Sequence, residues 1–349
     1  MTTLARRIDA LVVLEAARNK LYSISGGSID SGDVRAASIS TAQRIEYFNS
    51  PEFRAWLAAE KAAGRQVIWC KDVDKTQAAG DIFTFYFDWR SANGAFSQKQ
   101  LEVIQQFLRK QNVAVSLEDG PSEVVRLWLN REEGGEGIEI VDFWREVYWP
   151  SQIGISREEK QAQVKAFAEY YSTRVYPLVP EENRLLDELG VHVVIVSNGD
   201  QELAIAAGAV LGIRPENVVG SNLLYGADGL STGVNHSYEL FDGFWANRPQ
   251  PGKQFSFHYW LHANRARFGW TRISEQHFTI AGRDGDSASA DGGMMMLGQT
   301  VALGNFIVDT PDEPKRREKF LAVADRYGWT PGQFFTLKQL ASKCGNLPK

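Results

Sequence analysis

The sequence lacks the features that mark several classes of protein. It holds only two cysteines, Cys70 and Cys344, which form neither a disulfide framework nor a cysteine metal site. Its net charge of −5 gives no basic excess for binding nucleic acid. No run approaches the ~18 consecutive apolar residues of a membrane span, and the first residues lack the layout of a secretory signal. We therefore expect a cytoplasmic protein that binds neither nucleic acid nor membrane.

The chain has the size and composition of a globular protein with more than one domain, with 349 residues, 44% of them hydrophobic and 23% charged. From about residue 185, helical patterns alternate with apolar strands, which predicts a parallel sheet covered on both faces. A strand at 66–71 is separated from this region by a mostly helical stretch. We predict an α/β fold with a Rossmann-like parallel sheet and a large helical cap inserted after this strand. The predicted parts are an N-terminal helical segment at 1–65, a core at 66–77 and 185–349, and a cap at 78–184.

Polar residues follow three of the predicted strands at their carboxyl ends. The strand QVIWCK leads into Asp72 and Asp74, and VHVVIV leads into Ser197. The strand in HFTIAGRDGD ends in an acidic cluster that continues to Asp291. Ligands of open parallel sheets bind beyond these strand ends, so we expect the groups to lie together, joined by Lys253 from the start of a helix. Carboxylates, a hydroxyl and an ammonium, together with a divalent cation, suit phosphoryl transfer.

These residues form four ordered motifs that resemble those of the haloacid dehalogenase-like (HAD) phosphatase superfamily. The motifs are DVDKT at 72–76, Ser197, Lys253 and GDSASAD at 285–291. At a finer level, FWANRPQPGKQFSFHYWL and AGRDGDSASADGGMM are similar to segments of bacterial phosphorylcholine phosphatases. The resemblance implies that the predicted core is a HAD core and that the insertion is its cap.

The resemblance also implies a role for each matching residue. Asp72 is the expected nucleophile, which forms an aspartyl-phosphate, and Asp74 is expected to protonate the leaving oxygen and later activate water. Lys253 is expected to neutralise Asp72 and the phosphoryl group. The implied phosphate-binding residues are Thr76, Ser197, Asn198 and Lys253, and the implied Mg²⁺ ligands are Asp72, Asp74, Asp286 and Asp291.

Three residues depart from the family pattern. Lys71 stands before the nucleophile where an apolar residue is usual, and Lys75 follows Asp74 where glycine or asparagine is common. The last motif contains an additional acid, Asp284. The spacing leaves both Asp284 and Asp286 open as the main metal ligand, and we favour Asp286.

The inserted segment is rich in aromatic residues, which allows two interpretations. Aromatic faces beside a carboxylate suit a quaternary ammonium group in the substrate. The alternative is a helical core stripe, because residues 143, 144, 147 and 148 share one helix face. The candidate specificity residues are Trp128, Trp144, Tyr148 and Trp149, and the acids nearby in sequence are Glu118, Asp119 and Glu146.

Taken together, the sequence predicts an enzyme, an Mg²⁺-dependent phosphomonoesterase acting on a small phosphorylated metabolite. Phosphocholine or a related amino-alcohol phosphate is the leading candidate substrate. A phosphoserine-type phosphatase and a phosphotransferase or mutase are the alternatives within this chemistry. A catalytically silent HAD-fold binding protein is the alternative of another class, and the presence of every catalytic residue counts against it. No pattern in the sequence predicts an oligomeric state.

Overall fold

A computed structural model gives the architecture of most of the chain. It describes residues 3–25, 37–132, 137–138, 142–235, 252–287, 291, 294, 301–308, 318–319, 321–322 and 334–339. The segment 236–251, which contains much of the lysine motif, and Cys344 lie outside these residues. None of the described helices combines the length and the apolar character needed to cross a bilayer.

The chain begins with three helices and two strands. Their bounds are α1 Thr3–Ile24, β1 Ser38–Ser40, α2 Thr41–Phe48, α3 Pro51–Ala62 and β2 Gln66–Lys71. Serine side chains start two of these helices, since Ser40 Oγ accepts the N–H of Gln43 and Ser50 Oγ accepts the N–H of Phe53. Pro51 occupies the first turn of α3, where its missing N–H costs nothing.

The insertion after β2 is helical, as predicted. Its elements are α4 Ile82–Ala92, α5 Gln98–Lys110, α6 Gly120–Glu132, a π-helix at Phe143–Tyr148, α7 Trp149–Gln152 and α8 Arg157–Ser172. Ser156 caps α8, since its Oγ accepts the N–H of Glu159. An isolated antiparallel bridge joins Ala78 to Val175, so the two ends of the insertion lie side by side.

The rest of the chain alternates helices and strands. The bounds are α9 Val179–Glu188, β3 Val191–Asp200, α10 Gln201–Val210, a 3₁₀ turn at Pro215–Asn217, β4 Val218–Tyr225, β5 Ser231–Asn235, α11 Gly252–Asn264, a 3₁₀ turn at Glu275–His277, β6 Phe278–Gly285, β7 Gly304–Val308 and β8 Phe334–Lys338. Five of these strands, together with β2, form the interior of the sheet. The three strands named in the sequence analysis are β2, β3 and β6.

The strands form one eight-stranded sheet in the order β1-β8-β7-β6-β2-β3-β4-β5. Every neighbouring pair is parallel except β4 and β5, which form the antiparallel hairpin at one edge. Strand β2, which leads into Asp72, therefore lies between β6 and β3, whose ends carry the other motifs. This order confirms the predicted α/β fold with a helical insertion after the first core strand.

Both faces of β2 are buried, which explains its continuous apolar run. Val67 and Trp69 pack on the face covered by α2, α3 and α9, in the larger hydrophobic cluster. Ile68 and Cys70 pack on the opposite face with Trp260 from α11. Burial raises the pKa of the Cys70 thiol to about 12, so this cysteine stays protonated and behaves as a small apolar side chain.

The segment before residue 66 is more than the helical segment that we expected. Its strand β1 pairs in parallel with β8 at the far edge of the sheet. In addition, Arg18 of α1 donates a hydrogen bond of 2.7 Å to the carbonyl of Ala302, just before β7. Short strands such as Ser38–Ser40 carry too little periodicity to be recognised without their partner.

Helix α9 begins before residue 185, where we placed the start of the second core segment, and it packs on β3 and α2. The domain boundaries themselves stay predictions.

His192 gives a pH-dependent contribution to stability. It lies in β3, its ring nitrogen Nε2 is 3.0 Å from Gln66 Oε1, and its ring packs on Phe268. Burial, and then the positive charge of Arg267, lowers the pKa of His192 to about 4. The unfolded chain takes up this proton near pH 6.5 and the folded protein does not, so stability falls as pH drops from 7 to 4.

We expect urea unfolding to give a free energy lower by about 2 kcal/mol at pH 5 than at pH 7 from this residue alone. Between pH 7 and pH 5, the variant His192→Gln should lose about 2 kcal/mol less unfolding free energy than the wild-type protein. Equal losses in the two proteins would show that His192 is not the group responsible.

Candidate active site

The loop after β2 holds Asp72 in a fixed position. The N–H of Asp72 donates to the carbonyl of Asp284 (3.0 Å), which extends the pairing of β2 with β6 by one residue. Gln77 Nε2 donates to the carbonyl of Asp72 (2.8 Å), and the carbonyl of Val73 accepts the N–H groups of Thr76 and Gln77. Lys75 has a left-handed backbone (φ 54°), which accounts for the glycine or asparagine more usual at this position.

Lys253 bridges two buried carboxylates. Its Nζ lies 2.5 Å from Oδ1 of Asp72 and 2.5 Å from Oδ1 of Asp291. The other oxygen of Asp291 accepts the N–H groups of Asp286 (2.8 Å) and Ser287 (3.0 Å). Burial opposes the charge of Lys253, but the two carboxylates outweigh it and raise its pKa, so the ammonium form is retained.

Asp72, Asp286 and Asp291 form the one group among the described residues that could hold a metal ion. One carboxylate oxygen from each lies within 4.8 Å of the others, and all three residues are buried. Burial raises the pKa of Asp72 well above its usual value, Lys253 opposes this, and the Asp291, Asp74 and Asp286 carboxylates add to it. Three carboxylates facing one ammonium leave a negative excess, and their hard oxygen atoms suit Mg²⁺.

Asp74 lies two residues beyond Asp72 and has a different hydrogen-bonding and electrostatic environment. Its Oδ1 accepts the N–H of Ile82 at 2.6 Å, at the start of α4. Burial, and then the nearby Asp81 carboxylate, raises the pKa of Asp74 to about 7. A carboxyl group with this pKa can give up or take up a proton near neutral pH, as a general acid and base must.

Ser197 and Asn198 stand at the end of β3, the strand beside β2. Ser197 is buried, and its Oγ accepts the N–H of Gly199 at 2.9 Å. The Asn198 side-chain oxygen is buried and has no hydrogen-bond partner among the described residues, and the same holds for Thr76 Oγ1. Buried polar atoms normally have a hydrogen-bond partner, so these two atoms are suited to bind a ligand or water.

Asp284 belongs to a separate network of buried charges. Arg44 donates to both of its oxygens (3.0 and 2.8 Å), Trp69 Nε1 donates to Oδ1 (2.8 Å), and Lys71 Nζ lies 3.4 Å from Oδ2. Arg44 and Lys71 also bind Glu182 of α9, so two cations face two carboxylates. We call Arg44, Lys71, Glu182 and Asp284 the charge quartet.

The charge quartet explains two departures from the family pattern, the lysine before the nucleophile and the extra acid in the last motif. The four side chains are at most 2% exposed, so each charge needs its partners. Asp284 is thus engaged by Arg44, while Asp286 lies with Asp72 and Asp291. Of the two acids that the sequence left open, the geometry groups Asp286 with the other candidate ligands.

Sequence reasoning missed Arg44 and Glu182. The available signal was indirect: Lys71 and Asp284 are charged residues in strands that read as buried, and such charges require partners. The partners lie on helices far away in sequence, and nothing in their local pattern marks them.

The four aromatic candidates of the cap are all buried and pack together. Trp144 contacts Tyr148 (ring centroids 4.7 Å apart) and Trp149 (5.6 Å), while Trp128 meets Phe83 edge to face at 4.6 Å. The helical core stripe is therefore present. Glu118 and Asp119 are exposed, and Glu146 is half-buried. Ser116 Oγ donates to Asp119, and Glu146 pairs with Lys110.

Two of these aromatic residues also reach the end of β3. A Cβ added at Gly199 would lie 3.9 Å from the tip of the Trp144 ring, and Tyr148 donates a 2.9 Å hydrogen bond to Asp200. Asp200 caps α10 and is paired with Lys160 of α8 at 2.8 Å. The acid beside Trp128 is Asp81, whose Oδ2 lies 3.5 Å from the indole nitrogen and 3.0 Å from Lys75 Nζ.

Comparisons with known proteins give distant similarity only. No family model and no curated protein matches the sequence. Among solved structures, a conserved protein of unknown function from Anaerococcus prevotii is 12% identical, with a TM-score of 0.46 over 81% of this chain and 91% of that one. A protein of unknown function from Bordetella pertussis is 14% identical, with a TM-score of 0.45 over 78% of this chain and 98% of that one.

A phosphoserine phosphatase with an analogue of its phospho-aspartyl intermediate is also similar. It is 14% identical, with a TM-score of 0.40 over 75% of this chain and 98% of that one. Identities and scores in this range carry no activity from these proteins to this chain.

Asparagine substitutions at Asp284 and Asp286 should have opposite effects. Asp284→Asn leaves Arg44 and Lys71 with one carboxylate, so we expect a loss of about 3–5 kcal/mol in unfolding free energy and a normal response to Mg²⁺. Asp286→Asn removes one of three crowded carboxylates, so the metal-free protein should be as stable as wild type or more so. Its melting temperature should no longer rise by several degrees with Mg²⁺.

Thermal melting of the three proteins in Mg²⁺ and in EDTA measures both effects. A normal Mg²⁺ response in Asp286→Asn, with a lost response in Asp284→Asn, would reverse the assignment of the two acids.

Proposed function

We propose that this chain is an Mg²⁺-dependent phosphomonoesterase of the HAD type, which acts through an aspartyl-phosphate. The observation that carries the proposal is the contact of Lys253 with Asp72 inside a buried group of three carboxylates. Asp74, with a pKa of about 7, lies two residues beyond the nucleophile. A nucleophile, a compensating cation and a neutral-pH acid within one loop and its neighbours are what phosphoryl transfer through a carboxylate requires.

The mechanism follows from these positions. An oxygen of Asp72 attacks phosphorus, and the bond from phosphorus to the ester oxygen breaks while Asp74 gives its proton to that oxygen. Asp74, now a carboxylate, takes a proton from water as the water attacks the aspartyl-phosphate, which releases phosphate and restores Asp72. Lys253 offsets the negative charge of Asp72 and of the phosphoryl oxygens, and in this proposal Ser197, Asn198 and Thr76 bind those oxygens.

Asp72, Asp286 and Asp291, with the main chain at Asp74, would hold the Mg²⁺. When bound, this ion supplies positive charge that keeps Asp72 ionised and stabilises charge on the phosphoryl group. The chain fits such an ion because its three buried carboxylates face a single ammonium.

For the substrate, we propose a small phosphate ester with a cationic head group, such as phosphocholine or a related amino-alcohol phosphate. The support is the position of Trp144 against the Ser197–Gly199 segment, which brings an indole ring to the phosphate-binding end of β3. Asp81, beside Trp128, is a buried carboxylate near the same cluster. Aromatic faces with a nearby acid favour an ammonium group over a neutral one.

The test of the reaction is phosphate release from phosphocholine, phosphoethanolamine, phosphoserine and sugar phosphates, without an added acceptor. We expect release with Mg²⁺, none with EDTA, and a loss of at least about a thousandfold in Asp72→Asn, which keeps the shape of the side chain. Release that continues undiminished in Asp72→Asn would rule out the aspartyl-phosphate route. Release only when an alcohol acceptor is added would point to a phosphotransferase.

The head group is tested by comparing phosphocholine with 3,3-dimethylbutyl phosphate, its uncharged isostere. In Trp144→Leu, the ratio of kcat/KM for the two esters should fall by about 2- to 30-fold, because only the cation interacts with the ring quadrupole. The ratio cancels any general damage to the cap. An unchanged ratio would leave Trp144 with a packing role alone.

A further inference from the structure

Tyr171 carries a buried hydroxyl group that no motif explains. It lies in the last turn of α8, and its side chain is fully buried. The hydroxyl has no hydrogen-bond partner among the residues that the structure describes. A buried polar group without a partner reduces stability, so a phenylalanine would fill this position at lower cost. The hydroxyl is therefore more easily explained by a partner that is not part of the chain, such as a bound ligand.

The segment directly after Tyr171 is hydrogen-bonded to the loop that carries Asp72 and Asp74. The N–H of Ala79 donates to the carbonyl of Arg174 (2.9 Å), and the N–H of Tyr176 donates to the carbonyl of Gln77 (3.1 Å). The bridge between Ala78 and Val175 lies between these two bonds. The last turn of α8 is thereby held against the segment that follows Asp72, Asp74 and Thr76.

The charges that act on Tyr171 agree with this position. Burial raises the pKa of its hydroxyl well above the usual value, and the carboxylates of Asp74 and then Asp72 raise it further. Tyr171 therefore keeps its proton and offers an O–H donor close to both acids of the DVDKT motif. Asp74, which lies in the same loop between β2 and α4 as residues 77–79, is the residue proposed to protonate the leaving oxygen.

Other buried polar atoms without a described partner occur both near the candidate site and in the hydrophobic core. Thr76 Oγ1 and Asn198 Oδ1, on the nucleophile loop and at the end of β3, are buried without partners in the same way. Tyr47 is also a fully buried tyrosine whose hydroxyl has no described partner, and it packs against Phe48 and Phe53 much as Tyr171 packs against Phe85 and Phe167. Lack of a partner alone is thus not a sign of a site, and Tyr171 differs from Tyr47 by its location.

We propose that Tyr171 is a substrate-binding residue whose hydroxyl donates a hydrogen bond to the bridging oxygen of the phosphate ester, beside Asp74. This inference rests on the proposed phosphatase function. An ester oxygen has lone pairs for both donors, and negative charge grows on it as the bond to phosphorus breaks. A donor at this position stabilises the transition state more than the bound ester, and it does so most for poor leaving groups.

The experiment compares Tyr171→Phe with the matched control Tyr47→Phe, using phosphocholine and 4-nitrophenyl phosphate. For Tyr171→Phe, kcat/KM should fall about 5- to 100-fold with the alkyl ester. With the aryl ester, whose leaving group needs little help, the fall should be less than about threefold. Both variants should melt at or above the wild-type temperature, since each removes a buried unpartnered hydroxyl, and Tyr47→Phe should keep full activity with both esters.

Four results would overturn the inference. Equal kcat/KM in Tyr171→Phe and wild type, or equal losses with both esters, would mean that the hydroxyl does not act at the leaving oxygen. A melting temperature well below that of Tyr47→Phe would mean that the hydroxyl has a structural partner instead. An inactive wild-type enzyme with every ester would remove the proposed function and this inference together, whereas the other results remove only the inference.

Discussion

The balance of buried charge at the carboxyl end of β2 governs this structure. Lys253 pairs with Asp72 and Asp291 on one side of that strand end, and Asp286 lies with these two acids. The charge quartet lies next to them, joined through the hydrogen bond from the Asp72 N–H to the Asp284 carbonyl. Unpaired, any of these groups would cost several kcal/mol to bury. The two clusters differ in net charge. The two cations of the charge quartet balance its two carboxylates, whereas the group of Asp72, Asp286 and Asp291 keeps a negative excess that suits a cation.

Much of this arrangement could be predicted from the sequence because its causes are local. Continuous apolar runs predict buried parallel strands, and polar residues directly after such strands predict a shared edge, which brought Asp72, Lys253, Asp286 and Asp291 into one expected site. The four-motif order added their expected roles.

What could not be predicted depends on contacts between distant parts of the chain. Strand β1 is three residues long and is defined only by its pairing with β8. Arg44 and Glu182 are charged residues on helices and resemble solvent-exposed ones until the fold places them against Lys71 and Asp284. The same holds for Tyr171, whose place on α8 looks like any aromatic position of a core stripe, and for Asp81, whose contact with Trp128 no local pattern indicates.

The buried pair of Lys160 and Asp200 bears on how molecules enter and leave. It joins the cap helix α8 to the residue that follows the Ser197–Gly199 segment, and Tyr148 adds a second bond to the same carboxylate. Any movement of α8 away from the end of β3 would have to separate this pair and break the hydrogen bond from Tyr148. Because the same carboxylate also caps α10, such a movement would also disturb the start of the helix that follows β3.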